Sequence, residues 1–342
     1  MNPAQQIGQV LIVGDGPAGC AAAITCARLG LHTILVSSGA PRSHFPESVL
    51  AGGLDLVRLL GVKNLETVCV GPTFTEVVQR DWVPDDHTAK MEWPARHVRR
   101  DYLDSLLLDR ALACGISVVC GHARSVKMED GGIFRVELAK GDITVRAQFI
   151  IDATGVAQWL RRQFKLPRQV LSASLVCRRG FARSGSSHGL APRFYIEKDG
   201  WFWVAPTGPK TAVWTHVAAA RERMSRSLPD ELVIEGKTEQ VGRTWTLIEG
   251  VGGPNYTLTG DAGGHLDPGS GDGVTLALQS GRNAAITAAR ILRHPYLHRV
   301  APAAYSEWWH HRMTTKARTM AFFYATHGLS KLMNPSAISN PR

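Results

Sequence analysis

The sequence predicts an α/β fold that begins with a strand–helix–strand unit. Residues 10–13 (Val-Leu-Ile-Val) form a short apolar run, typical of a strand buried on both faces. A glycine-rich loop follows, and then an alanine-rich stretch over 20–29 that predicts a helix ending at Gly30. Residues 33–36 (Thr-Ile-Leu-Val) form the next strand, which predicts two parallel strands joined by a helix.

The loop between the first strand and the helix reads Gly-Asp-Gly-Pro-Ala-Gly over residues 14–19. Gly14 permits a tight turn, Gly16 lets the backbone approach a diphosphate, and Gly19 allows the helix to pack closely on the strand. The free N–H groups at the start of the helix favour an anion. This context predicts a Rossmann-like dinucleotide site, and the Pro17-Ala18 pair resembles flavoproteins, so we expect FAD.

The end of the second strand departs from the usual pattern of such sites. An acidic residue normally binds the ribose hydroxyls there, but this chain has Ser37 followed by Ser38. A serine hydroxyl cannot replace the two acceptor oxygens of a carboxylate. We therefore expect FAD to be held weakly, or Arg42 to share in binding the ribose.

Three later segments resemble group A flavin monooxygenases and flavin-dependent halogenases. They are a helix with Arg100, an Ala-Thr-Gly turn ending in Thr154 and Gly155, and a Gly-Asp pair at Gly260 and Asp261. The resemblance implies that Arg100 approaches FAD and that Asp261 binds its ribityl chain or a hydroxyl near the phosphates. It also implies that a turn before the next helix wraps the isoalloxazine, with contacts from Pro268, Gly271, Asp272, Gly273 and Val274.

The remaining strands predict an antiparallel substrate sheet over the flavin. Alternating or aromatic runs occupy residues 193–197, 201–204 and 211–215, and residues 184–189 suggest a mobile loop. We predict a discontinuous FAD-binding domain (1–65, 96–155 and 251–292), a substrate domain (66–95 and 156–250) and a C-terminal helical segment (293–342).

Residues 201–206 (Trp-Phe-Trp-Val-Ala-Pro) nearly match the Trp-x-Trp-x-Ile-Pro motif of flavin-dependent halogenases, and Glu47-Ser48 resembles another of their segments. Trp201 and Trp203 are therefore candidates for the active site, although aromatic residues at these positions also suit the core of a sheet. Halogenases need a lysine in a Phe-x-x-Lys-x-Gly context. The corresponding residues here, 72–78 (Pro-Thr-Phe-Thr-Glu-Val-Val), contain none.

These observations favour an FAD-dependent monooxygenase that hydroxylates an electron-rich aromatic ring. The chain also resembles the LodB-like and GoxB-like group, small halogenase-like flavoproteins that keep the FAD segments and lack the lysine. That resemblance implies hydroxylation of a tryptophan side chain of a partner protein during cysteine tryptophylquinone biogenesis. The alternatives are hydroxylation of a free small aromatic, halogenation, isoprenoid reduction as in geranylgeranyl-reductase-like proteins, and a non-catalytic FAD-binding scaffold.

The reaction requires molecular oxygen and an electron donor, which we expect to be NAD(P)H or a separate flavin reductase. His265 is a candidate proton donor or an orienting group for the loop that follows it. No ligand spacing among the histidines and cysteines indicates a metal.

The composition gives a formal net charge of +10, concentrated towards the C-terminus, where eight Lys or Arg residues follow residue 289 against Glu307 alone. A basic surface favours an acidic protein or a phosphate-bearing ligand. No nucleic-acid motif accompanies it, and no apolar run is long enough to cross a membrane. The six cysteines form no Cys-x-x-Cys pair, so we expect reduced thiols and a cytoplasmic protein.

Overall fold

A computed structural model describes residues 5–40, 42–81, 88–139, 143–183, 192–221, 228 and 232–334. The helices are α1 (Pro17–Arg28), α2 (Ala51–Leu59), α3 (Arg100–Ala113), α4 (Trp159–Phe164), α5 (Gly273–Arg293) and α6 (Val300–Thr326). The strands are β1 (Gln5–Val13), β2 (Thr33–Ser37), β3 (Pro46–Leu50), β4 (Cys69–Asp81), β5 (Thr88–Arg99), β6 (Ser117–Cys120), β7 (Ala123–Glu129), β8 (Ile133–Leu138), β9 (Thr144–Asp152), β10 (Arg168–Val170), β11 (Leu175–Arg183), β12 (Arg193–Glu197), β13 (Gly200–Gly208), β14 (Thr211–Ala219), β15 (Val233–Gly242), β16 (Thr246–Ile248), β17 (Gly252–Gly253), β18 (Tyr256–Leu258) and β19 (Gly264–His265).

The first sheet has the order β17-β18-β9-β1-β2-β6, and the β7–β8 hairpin extends it from β9. The strands from β18 to β6 are parallel, with β1 between β9 and β2. Val10, Leu11 and Ile12 are fully buried because helices cover the faces of this sheet. The carboxyl ends of β1, β2, β9 and β18 meet at one edge, where open α/β sheets bind their ligands. The α/β class with a Rossmann-like unit is confirmed.

Helix α1 owes its fit to small residues. The side chains from Pro17 to Cys26 are all buried, and α5 crosses α1 so closely that a Cβ at Gly281 would lie 2.0 Å from the carbonyl oxygen of Ala18. The apolar face of α5, which includes Val274, Leu278 and Ala285, recurs at helical spacing and packs into the core. Both helices therefore begin at the same edge of the sheet.

The second sheet has the order β15-β11-β14-β13-β12-β4-β5-β3. All its pairs are antiparallel except β12 with β4, which run parallel. β3 and β5 belong to this sheet although residues 46–65 and 96–99 fall in the FAD-binding segments that we predicted from the sequence. The proposed domain limits stay a prediction. A third sheet, β10-β16-β19, and α6 complete the fold.

The predicted mobile loop at 184–189 lies outside the described residues. The six cysteines are unpaired. Within the described ranges, no helix combines the length and apolar character needed to span a membrane.

Candidate active site

A cavity of about 1200 Å³ lies between the carboxyl edge of the first sheet, the second sheet and α6. This central cavity is larger than a typical small-molecule pocket, so it has room for a cofactor and a substrate. It is lined by most of the residues that the sequence singles out: Gly14, Gly16, Pro17, Ala18, Ser38, Glu47, Ser48, Arg100, Thr154, Gly155, Trp201, Trp203, Gly260, Asp261, His265, Pro268, Gly271, Asp272, Gly273 and Val274. Gly19, Ser37 and Arg42 are not among the lining residues.

The loop over residues 14–19 is shaped by three different glycine requirements. Gly14 has φ +107°, and a Cβ there would lie 2.3 Å from the carbonyl oxygen of Ala153. A Cβ at Gly19 would lie 1.8 Å from the carbonyl oxygen of Gly14, so Gly19 serves packing rather than the cavity. A Cβ at Gly16 would meet no atom within 4 Å, because this glycine faces open space. The loop thus leaves room for a ligand against the start of α1.

A second helix start faces the same cavity. The turn before α5 is closed by Asp267, whose carboxylate accepts a hydrogen bond from the Gly269 amide at 2.9 Å. Asp272 precedes α5 without capping it and forms an ion pair with Lys316 of α6 instead. Among the described residues, no side chain caps the start of α5. Gly273 and Val274 line the cavity there, and their amides favour negative charge.

Charged side chains form a network beside the first helix start. Glu47 accepts from Arg100 at 2.7 Å and from Arg179 at 3.1 Å, and Arg100 also pairs with Asp104. Burial would raise the pKa of the Glu47 carboxyl, but the two guanidinium groups outweigh it and the net shift of that pKa is downward. Glu47 is thus an anion that positions Arg100 and Arg179 at the cavity wall.

At the end of β2, where the sequence analysis expects the ribose, two side chains bind Asp15. Ser37 is buried, and its hydroxyl donates to the Oδ2 atom of Asp15 at 2.8 Å. Arg42 also binds that oxygen, at 2.6 Å, and forms a second ion pair with Asp104 at 3.0 Å. Ser37 and Arg42 therefore lie behind the cavity wall, and Asp15, which sequence reasoning missed, lies on it.

Aromatic rings wall the part of the cavity next to the turn before α5. Trp201 stacks on Phe194 with ring centroids 5.0 Å apart, and Trp203 lies 6.4 Å from Trp93. A Cβ at Gly271 would lie 2.1 Å from the Trp93 ring, so this ring lies directly against the turn. We call these rings, together with Phe323 of α6, the aromatic chamber.

The two candidate tryptophans have different surroundings. Trp201 is almost fully buried and its indole N–H donates to the Tyr324 hydroxyl at 2.6 Å, so it is held in place by α6. Trp203 is partly buried and packs against Phe74 and Phe194 as well as Trp93. Both line the cavity, and their catalytic role stays a prediction.

His265 lies on β19 at the cavity wall, with Nδ1 3.4 Å from the Thr246 hydroxyl. Burial lowers the pKa of His265, so the imidazole is neutral near pH 7. The carboxyl of Asp267 is also buried, and this burial raises its pKa to about 6 despite hydrogen bonds from Tyr324 and Trp245. The surroundings of His265 and Asp267 therefore move both pKa values away from the ordinary ones.

Two further lining residues, His97 and Lys316, were missed by the sequence analysis. His97 is buried on β5, its Nδ1 lies 3.1 Å from the Ser48 hydroxyl, and burial lowers its pKa to about 4. Lys316 reaches the cavity from α6, far along the chain from every motif. No local pattern marks either residue, because only the tertiary fold brings them to the cavity.

Residues 9–163 match the protein family described as FAD dependent oxidoreductase. This match covers somewhat less than half of the chain. It supports the predicted resemblance to the superfamily of FAD-dependent monooxygenases and flavin-dependent halogenases.

The chain is 27% identical over 327 residues to a tryptophan 2-halogenase of Chondromyces crocatus, and the match covers 83% of this chain and 61% of the halogenase, so the chain spans less than two thirds of that relative's length. A digeranylgeranylglycerophospholipid reductase of Methanopyrus kandleri is 23% identical, with coverage of 83% and 77%. Among solved structures, a peptidyl tryptophan dihydroxylase essential for tryptophylquinone cofactor biogenesis has a TM-score of 0.73 and 20% identity. That match covers 94% of this chain and 76% of the dihydroxylase.

The central cavity fits FAD. The open face of Gly16 and the unpaired amides at the start of α1 suit a diphosphate, and the uncapped start of α5 suits the edge of the isoalloxazine that becomes negative on reduction. The predicted cofactor is confirmed as FAD. The individual contacts assigned to Arg100, Thr154, Gly260 and Asp261 stay predictions.

Proposed function

We propose that this oxidoreductase is a monooxygenase that hydroxylates an electron-rich aromatic ring, with a tryptophan side chain of a partner protein as its leading substrate. The observation that carries this proposal is the aromatic chamber, which forms the part of the central cavity next to the turn before α5. Stacked and edge-to-face aromatic contacts favour a planar aromatic guest. A substrate ring in the chamber would lie beside the segment expected to wrap the isoalloxazine.

The overall reaction consumes one molecule of oxygen and two electrons with two protons. One oxygen atom replaces a hydrogen on the ring as a hydroxyl group, and the other leaves as water. FAD supplies the activation of oxygen when it is bound and reduced. The electrons come from NAD(P)H, either directly or through a separate flavin reductase.

The protein's own contribution is to orient the substrate, exclude water and supply a proton. The rings of Phe194, Trp201 and Trp203 form an apolar wall that limits where a substrate ring can lie. His265 is the candidate proton donor. Because its imidazole is neutral, it can donate only the one N–H of the neutral ring.

The lysines of the chain favour hydroxylation over halogenation. Residues 72–78 contain no lysine, and among the described lining residues Lys316 is the single lysine. Its ammonium group is paired with Asp272 and lies 3.5 Å from the Ser270 carbonyl oxygen. An ammonium held in this way is not free to capture a hypohalous acid, so we expect oxygen rather than halogen transfer to the ring.

A partner protein as substrate is supported by two features. The chain carries a formal net charge of +10, with its C-terminal part strongly basic, and such a surface attracts an acidic protein. The peptidyl tryptophan dihydroxylase with the same fold acts on a tryptophan within a peptide. Hydroxylation of a free small aromatic is the second candidate, supported by the similarity to the tryptophan 2-halogenase.

The test is a product assay with the FAD-loaded protein, NADH, a flavin reductase and oxygen. Free tryptophan, a tryptophan-containing acidic peptide and an isoprenoid alcohol are offered separately, with and without chloride or bromide. We expect the peptide to gain the mass of oxygen in all salts. Halide in the product would establish a halogenase, and a gain of two hydrogens by the isoprenoid would establish a reductase. Reoxidation of the reduced protein without any product would support a scaffold and contradict the proposal.

A further inference from the structure

The hydroxyl of Ser37 is already committed within the protein. Strand β2 ends at Ser37, where a dinucleotide-binding unit usually carries the acid for the ribose. The Ser37 hydroxyl donates to Asp15 at 2.8 Å and accepts from the Gly39 amide at 3.2 Å. Because a hydroxyl has a single proton to donate, Ser37 has none left for a ribose oxygen.

Asp15 places a carboxylate at the same end of the sheet, from the loop between β1 and α1. Its Oδ2 atom accepts from both Ser37 and Arg42, and Asp15 lines the central cavity. Among the described residues, no donor contacts Oδ1. A carboxylate has about four acceptor positions, so Oδ1 has the capacity to accept from hydroxyl groups of a ligand.

Arg42 makes this acid compatible with a bound diphosphate. A carboxylate in the anion-binding loop would by itself repel phosphate groups. The Arg42 guanidinium lies 2.6 Å from Asp15 and 3.0 Å from Asp104, so it neutralises the loop and fixes the orientation of the Asp15 side chain. Ser37 also binds Oδ2, and neither of these two contacts involves Oδ1.

We propose that Asp15 supplies the ribose-binding carboxylate of this enzyme, in place of the acid that is missing from the end of β2. The group recognised is the pair of vicinal hydroxyls on the adenosine ribose of FAD. Ser37 and Arg42 act as positioning residues for Asp15. This assignment concerns cofactor recognition alone and is independent of which reaction the enzyme performs.

The experiment compares FAD with its 2′-deoxyadenosine and 3′-deoxyadenosine analogues. Flavin fluorescence titrations of the FAD-free protein give the dissociation constant of each ligand for the natural protein, for Asp15→Ala and for Asp15→Asn. Hydrogen bonds to a charged group predict that the natural protein binds FAD about 10- to 100-fold more tightly than at least one analogue. In both variants this discrimination should fall to less than about threefold.

An exchange variant tests the position of the charge directly. Asp15→Ser combined with Ser37→Glu returns the acid to the end of β2, and we expect it to restore discrimination between FAD and the analogues. Circular dichroism and the melting temperature of each FAD-free variant report whether it folds, and Asp15→Asn, which keeps the shape of the side chain, replaces Asp15→Ala if the latter does not. The proposal is overturned if the natural protein binds FAD and both analogues equally, or if the Asp15 variants keep the full discrimination.

Discussion

The indole N–H of Trp201 donates to the hydroxyl of Tyr324 at 2.6 Å, and this bond joins the second sheet to α6 across the end of the central cavity. The Tyr324 hydroxyl in turn donates to Asp267, which also accepts from the indole N–H of Trp245 at 3.0 Å. Asp267 opens the turn before α5, so this buried network links three walls of the cavity. Trp201 therefore has a positioning role in addition to its place in the aromatic chamber.

Replacing Trp201 should destabilise the protein more than replacing its neighbour on the same strand. Trp201→Phe removes a buried hydrogen bond and leaves the Tyr324 hydroxyl without its donor, which costs about 1–3 kcal/mol in addition to the lost ring volume. Trp203→Phe is the matched control, because it makes the same change in volume at a partly buried site. Urea unfolding of the FAD-free proteins measures both, and equal losses would contradict the role of the bond.

The glycines of the first loop should separate folding from cofactor binding. A Cβ at Gly16 meets no protein atom within 4 Å, so we expect Gly16→Val to change the melting temperature little. The added methyl groups would project into the space expected to hold the diphosphate, and we expect FAD affinity to fall at least about 100-fold, which corresponds to about 2.7 kcal/mol. Fluorescence titration with FAD measures the loss.

Gly19→Ala provides the opposite control. Its Cβ would lie 1.8 Å from the Gly14 carbonyl oxygen, so the loop must shift, and overpacking of this kind typically costs about 1–3 kcal/mol of stability. We expect a lowered melting temperature in the absence of FAD.

A Gly16→Val protein that binds FAD normally would show that the diphosphate does not lie against this loop.

Several parts of this site follow from local sequence, and others do not. The tight turn at Gly14 and the close packing at Gly19 are visible in the spacing of glycines, because each depends on residues within a few positions. The pairing of Arg179 with Glu47 joins residues 132 positions apart, and no periodicity reveals it. The absence of an acid at Ser37 is visible in the sequence, but the position of the Asp15 carboxylate beside Ser37 is not, because Asp15 comes from a different loop.

The protonation of Asp267 should make stability depend on pH. Burial raises the pKa of this carboxyl to about 6 from an ordinary value of 3.8, so the folded protein binds the proton more tightly than the unfolded chain does. The resulting stabilisation is fully present below about pH 4 and is lost as the pH rises to about 6, with a total of about 2–3 kcal/mol.

Asp267→Asn isolates this contribution because it cannot titrate. Urea unfolding of both proteins between about pH 4 and pH 7 should show that the advantage of the natural protein over the variant shrinks as the pH rises. Parallel pH profiles for the two proteins would mean that Asp267 titrates at an ordinary pKa.

The ion pair between Lys316 and Asp272 should contribute more to the free energy of unfolding than a surface pair does. Both side chains are largely buried, with 22% and 13% of their surfaces exposed. Removal of either partner leaves a charge in a poorly solvated place, so Lys316→Met and Asp272→Asn should each cost about 1–3 kcal/mol, while the double variant should cost less than their sum. The Lys331–Asp199 pair, which is 50% and 31% exposed, is the matched control and should give a coupling energy below about 1 kcal/mol. Double-mutant cycles by urea unfolding of the FAD-free protein measure both energies. Equal coupling energies for the two pairs would contradict this prediction. They would mean that Lys316 does not stabilise the start of α5 or hold the turn before it in place.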